Sequence, residues 1–173
     1  MHRNQKFLRR RSDNSRGFTL LEVVMAMAVA IILTAISMPI VKTTLANYRM
    51  TSAVNSVTGV INSSRYRAIY NGYPYNITFT KANGTTIPAA QYQLANKIPP
   101  ATSFTNVGTT IPVVSNDVTL NSNVTLEFSP GGKVTATTGS LSNIKLTYKE
   151  GTSDAQSRTI TVTTYGNISV ANP

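Results

Sequence analysis

The side chain whose type and position most demand a chemical role is Glu22, the one ionisable group in the 24 residues from Phe18 to Val41. Apolar residues run unbroken from Val23 to Leu33 behind it. A carboxylate in such a setting costs about 2.5–3.5 kcal/mol to insert into a bilayer, so it calls for a partner. One is created if the chain is cut between Gly17 and Phe18, because the new α-amine at Phe18 lies four residues from Glu22, one helical turn away. In a stack of staggered helices the same carboxylate would neutralise the amine of a neighbouring chain instead. The chemistry on offer is cleavage of this chain by another protein, then charge pairing in apolar surroundings.

Catalysis by the chain itself finds little support. There is no cysteine, and the one histidine, His2, precedes the cut. The commonest general base, the thiol nucleophile and the usual zinc ligands are therefore missing after residue 17. Beyond the apolar stretch the acids are Asp117, Glu127, Glu150 and Asp154, which form no recognisable pair, metal motif or triad. Ser129 has no histidine to activate it. Gly131-Gly132 is followed by a strand pattern rather than a helix, so it does not read as a phosphate loop. No enzymatic activity, cofactor or metal is expected.

The element that must position Glu22 is a helix. About 20 apolar residues cross a bilayer core, and residues 18–41 suffice. Arg3, Lys6, Arg9, Arg10, Arg11 and Arg16 precede it against Asp13 alone, an imbalance that keeps the N-terminus cytoplasmic. The formal charge of +10 comes half from this segment, and the remainder of the chain is moderately basic. A secretory signal peptide cut near Ala35-Ile36-Ser37 would share the basic start. It would have a shorter apolar core and no glutamate. A plain signal anchor explains the length but neither Glu22 nor the glycine–aromatic junction.

Arg16-Gly17-Phe18-Thr19-Leu20-Leu21-Glu22 resembles the processing site of type IV pilins and of the pseudopilins of type II secretion systems. The resemblance implies cleavage after Gly17 by an inner-membrane prepilin peptidase and N-methylation of Phe18. It also implies that Glu22 guides docking of the subunit among its neighbours. Pro39 stands where such spine helices commonly carry a helix-weakening proline, implying a kink. The implied partners are the peptidase, other pilins or pseudopilins in a hetero-oligomeric filament, an inner-membrane assembly platform, and the lipid bilayer before assembly.

After Pro39 apolar residues recur at mostly three- and four-residue spacings. Val41, Leu45, Tyr48, Val54, Val57, Ile61 and Ala68 are read as one side of a continuing helix, with Lys42, Asn47, Arg49, Asn55 and Asn62 on the other. Asn71-Gly72 before Pro74 stops it near Tyr70. Strands then dominate: Tyr75–Thr80, a hairpin turn at Asn83-Gly84, Tyr92–Leu94, Val118–Leu120, Val124–Phe128, Lys133–Ala136, Ile144–Tyr148, Arg158–Thr164 and Ile168–Val170. Ile98–Val114, with Pro99, Pro100 and Pro112, reads as mostly irregular with an edge strand at most. With no disulfide available, the head must rely on its core.

The run Leu126-Glu127-Phe128-Ser129-Pro130-Gly131-Gly132-Lys133-Val134, followed by Ile144–Tyr148 and by Arg158–Val162 leading to Tyr165-Gly166-Asn167-Ile168, is similar to the C-terminal domain of GspH/FimT-type minor pilins and pseudopilins. DNA-binding members of that group carry an arginine-rich sequence after the strand-end glycine. Here Asn167-Ile168-Ser169 follows Gly166, so those residues do not carry over. A separate cluster, Arg65-Tyr66-Arg67 with Tyr70, Tyr73 and Tyr75, has the residue types for phosphate contacts and base stacking. The alternative, preferred here, is a helix end docking on the first strand.

The expected fold is α+β: a pilin fold with a spine helix over about 18–70, transmembrane in its first half, packed on a C-terminal antiparallel sheet domain. The expected divisions are a cleaved leader 1–17, a transmembrane or filament-core helix 18–41, an amphipathic continuation 42–71 and a β-rich head 72–173. The function read from this is a minor pilin or pseudopilin of a type IV pilus or type II secretion pseudopilus, anchored in the inner membrane with its head in the periplasm before assembly. Two other classes stay open: a DNA-uptake pilin that binds DNA, and an anchored or exported β-domain that binds an extracellular ligand and never polymerises.

Overall fold

The computed structural model of the chain describes residues 17–83, 86, 89–113, 117–149 and 155–172. The chain divides into two compact units, residues 1–41 and 42–173. Helix α1 covers Leu20–Asn71 and runs through the division.

In the first unit every described side chain is exposed, which for Leu20, Ile31 and Ile40 at 84%, 69% and 63% is tolerable only in lipid or against other chains. It is the one helix, among the described residues, long and apolar enough to cross a membrane. The helix begins at Leu20 and not at Phe18, because Thr19 caps it. The Thr19 carbonyl accepts the N–H of Val23 at 3.2 Å, and the Thr19 hydroxyl accepts that of Glu22 at 3.2 Å. Before Pro39, Thr34 and Ser37 donate their hydroxyls to the carbonyls of Ala30 and Leu33 at 2.6 and 2.8 Å. That is how hydroxyl groups are satisfied where no water is present.

The second unit packs the rest of α1 on two antiparallel sheets. The first sheet takes β1 (Tyr75–Thr80), β2 (Gln91–Asn96), β3 (Thr105–Pro112), β5 (Val124–Phe128) and β6 (Val134–Thr138) in the order β3-β2-β1-β5-β6. The second takes β4 (Val118–Leu120), β7 (Ile144–Tyr148), β8 (Gln156–Val162) and β9 (Ile168–Ala171) in the order β4-β7-β8-β9. Period-two alternation turns Tyr75, Ile77 and Phe79, Val124, Leu126 and Phe128, and Ile144, Leu146 and Tyr148 inward. With Met50, Val57 and Ile61 of the helix these form one core. The α+β architecture of a long N-terminal helix on antiparallel sheets is as expected.

The helix face is not the one expected at its start. Val41, Leu45 and Tyr48 are 63%, 44% and 72% exposed, whereas Ala46, Met50 and Ala53 are buried and lead into Val54, Val57, Ile61, Ser64 and Ala68. At 100° per residue the buried positions share one side, and Val41, Leu45 and Tyr48 lie nearly opposite it. Spacing alone does not distinguish a stripe that meets its own sheets from one that faces away. Arg49 then reaches back to form an ion pair with Asp117.

Two strand readings also need correction. β1 and β2 are antiparallel neighbours, but the register sets Thr80 against Gln91, so the hairpin connection spans residues 81–90 and is longer than a two-residue turn. Gly84 lies outside the described residues. The side chain of Asn123 takes the N–H of Lys81 at 2.8 Å, and that of Asn83 takes the N–H of Thr86 at 3.0 Å, so both asparagines serve the loop. Within Ile98–Val114, the ordered part is longer than expected: β3 is an eight-residue strand, placed at the sheet edge where a terminal Pro112 is tolerated.

Candidate functional site

The N-terminal site is built from the helix start. Gly17, Phe18 and Thr19 precede α1, with Phe18 81% exposed and nothing within 4 Å of where a Gly17 side chain would begin. Glu22 is the third helical residue, where the unpaired N–H groups of the first turn favour a carboxylate. Thr19-Leu20-Leu21-Glu22 has the spacing of a capping box, a signal already present in the sequence. Phe18, Glu22, Ala26 and Ala30 line one shallow apolar groove of the helix. Small residues one turn apart behind Glu22 leave room for another helix to approach its carboxylate. Phe18 is outside the helix, so its amine is not held one turn from Glu22 by helical geometry. Pro39 lies in the interior of α1, which continues through it.

The structure does not bring the Arg65–Tyr75 cluster together as one surface. Arg65 and Arg67 are two residues apart, about 200° around the helix, and leave from opposite flanks. Arg65 donates from Nε to the carbonyl of Gly132 at 3.0 Å, and its guanidinium lies against Gly166. Arg67 lines a groove of 220 Å³ with Gly59, Tyr92 and Val107. Tyr66 and Tyr70 point away, 67% and 91% exposed. Tyr73 and Tyr75 stack on each other at 5.4 Å between ring centres, below the helix end.

That tyrosine pair is electrostatically tuned. Asn71 donates to the Tyr75 hydroxyl at 2.9 Å and Tyr75 donates to Tyr73 at 3.4 Å. Burial pushes the Tyr75 hydroxyl up, but hydrogen bonds from Tyr73, Asn96 and Asn71 and the charge of Arg67 outweigh it and hold Tyr75 below the usual tyrosine range. Tyr73 moves up, first through its hydrogen bond with Tyr75 and then through desolvation. Once Tyr75 ionises, Tyr73 becomes the donor, which is why the two shift apart.

The two glycine-bearing turns singled out at the sequence level meet at Arg65. In Ser129–Lys133 the N–H of Gly132 bonds the Ser129 carbonyl and that of Ser129 bonds the Lys133 carbonyl, both at 2.9 Å. In Thr163–Asn167 the N–H of Gly166 bonds the Thr163 carbonyl at 2.8 Å. Gly166 has φ +81°, and a Cβ there would sit 2.5 Å from Arg65 Nε. Glycine is required on both counts. Nothing in the sequence revealed this junction, since Arg65 and Gly132 are 67 residues apart.

A family model of the prokaryotic N-terminal methylation motif matches residues 12–38, a stretch that contains Gly17, Phe18 and Glu22. This is the prepilin signal of type IV pilin-like proteins. It supports a type IV pilin-like processed prepilin, implies processing by prepilin peptidase and assembly with other pilins, and with the apolar helix fits a membrane-anchored protein. Neither a curated protein nor a solved structure matches the chain.

Proposed function

We propose that the chain is a minor pilin or minor pseudopilin of the GspH/FimT type, a structural subunit of a type IV pilus or type II secretion pseudopilus. The observation that carries this reading is the prepilin motif over residues 12–38 on a helix whose apolar side chains are exposed throughout residues 20–41. In this reading residues 1–17 are the leader, 18–41 the membrane and filament-core helix, 42–71 its amphipathic continuation, and 72–173 the head. The peptidase cuts after Gly17, Phe18 is methylated, and the chain rests in the inner membrane with its head in the periplasm. Extraction into a filament exchanges burial in lipid for burial among helices, and Glu22 sets the register by meeting a neighbour's amine. Pro39 loosens the helix by removing one backbone hydrogen bond. An assembly platform drives the transfer.

The decisive experiment is the N-terminal residue and intact mass of the protein from membranes of cells with and without active prepilin peptidase. A methylated Phe18 start, lost without the peptidase, is expected. A start near Met38, or an intact Met1 in both strains, would mean that a signal peptide or plain anchor is present, and that the head is an exported ligand-binding domain.

A further inference from the structure

A cleft of 330 Å³ opens beside the junction of the two glycine turns, lined by Arg65, Gly131, Gly132, Lys133, Thr164 and Tyr165. Its chemistry is one-signed. Among the described residues two cations line it and no acid does. Arg65 is half-buried and is aimed by its Nε–H bond to Gly132 and by contact with Gly166. Among the described residues its two Nη groups have no hydrogen-bond acceptor, and Lys133 Nζ has no carboxylate within ion-pair distance. The acids Glu150 and Asp154 lie outside the described residues. Glu127 pairs with Thr135 in the strand register and does not line the cleft.

We infer that this cleft is a binding site for a phosphate monoester, with the Arg65 fork and Lys133 holding the phosphoryl oxygens. A guanidinium whose Nε is already committed presents its two Nη groups as a flat fork, the geometry that meets paired anionic oxygens. Lys133 supplies the second charge, so the pair matches a dianion better than the single charge of a carboxylate or of one phosphodiester. Thr164 and Tyr165, both hydroxyl-bearing residues, are also in the lining, which suits a tetrahedral anion with three free oxygens. The volume exceeds what a bare phosphate fills, leaving space for the sugar or glycerol to which the group is attached. Tyr165, 79% exposed, stands beside that space.

The test is a titration of the full chain in detergent micelles, following the Nε–Hε resonance of Arg65 and the backbone amides of Lys133 and Tyr165. Glycerol 3-phosphate is the probe, acetate the single-charge comparison and a decathymidylate the phosphodiester comparison. Saturable shifts with glycerol 3-phosphate, absent with acetate, are expected. Lys133→Ala should weaken binding about fivefold, the upper end for one exposed charge, and Lys133→Glu should abolish it. Lys133 is exposed, so both variants should fold. Equal response to acetate, no saturation, or an unaffected Lys133→Glu would overturn the assignment. So would saturation by the decathymidylate without any by the monoester, which would make the cleft part of a nucleic-acid surface.

Discussion

Replacing Gly166 by alanine tests the junction of helix and sheets directly. The φ of +81° costs an L-residue about 1–2 kcal/mol. The new Cβ would lie 2.5 Å from Arg65 Nε and 2.7 Å from its Cδ and Cζ, so the guanidinium must leave. Its charge-assisted bond to Gly132 then breaks, worth about 1.5–3 kcal/mol and nearer the lower figure because Arg65 is only half-buried. A total of about 2.5–4 kcal/mol is expected. Gly72→Ala supplies the control, with φ +73° and nothing within 4 Å of the added atom, and should cost only the strain. The assay is urea unfolding of the full chain in micelles, followed by tyrosine near-ultraviolet dichroism. Arg65→Ala combined with Gly166→Ala should cost clearly less than the sum of the two single changes, because the clash vanishes with the side chain. The reasoning is refuted if Gly166→Ala costs no more than Gly72→Ala, or if the double change is additive.

Other predictions follow from the helix and the tyrosines. Ile61→Ala, at a position 1% exposed, should destabilise the head by about 2–5 kcal/mol, whereas Leu45→Ala on the outward face should cost under about 0.5 kcal/mol by the same unfolding assay. Glu22→Val should leave membrane insertion intact and remove incorporation into filaments, measured by fractionating membranes and sheared filaments; normal incorporation would end the register argument. In a ring-carbon NMR titration Tyr75 should ionise below, and Tyr73 above, the ordinary tyrosine value near 10. A lowered folded value means that Tyr75 adds stability as pH rises from its folded value toward 10, and Tyr73 subtracts it above 10. Tyr73→Phe should raise the Tyr75 value, since burial then meets less opposition.

Much of the fold was legible because it is written in local periodicity. β4, β5 and β7 begin and end at the residues that alternation and turn chemistry named, since a half-buried strand needs its apolar residues at every second position. The helix end near Tyr70 was legible for the same reason, as Gly72 and Pro74 terminate a helix in any context. The helix start was misplaced by two residues because the hydroxyl of Thr19 competes for the first turn, although the capping-box spacing was there to be read. The length of the β1–β2 connection was not legible, since the side chain of Asn123 that takes the N–H of Lys81 at the strand end is 42 residues away in sequence.

The sequence by itself determined the basic segment, the glycine–aromatic junction, the apolar run and the glutamate within it. Those are contiguous, and their meaning rests on hydropathy and charge that no packing can alter. Only the tertiary structure decided which side of α1 faces the sheets, since two stripes of apolar residues with the same spacing differ only in what covers them. It alone turned Arg65 from a member of a sequential basic cluster into the residue clasped between Gly132 and Gly166. Guanidinium and glycine turns are far apart along the chain, and their contact exists only once both sheets have packed beneath the helix.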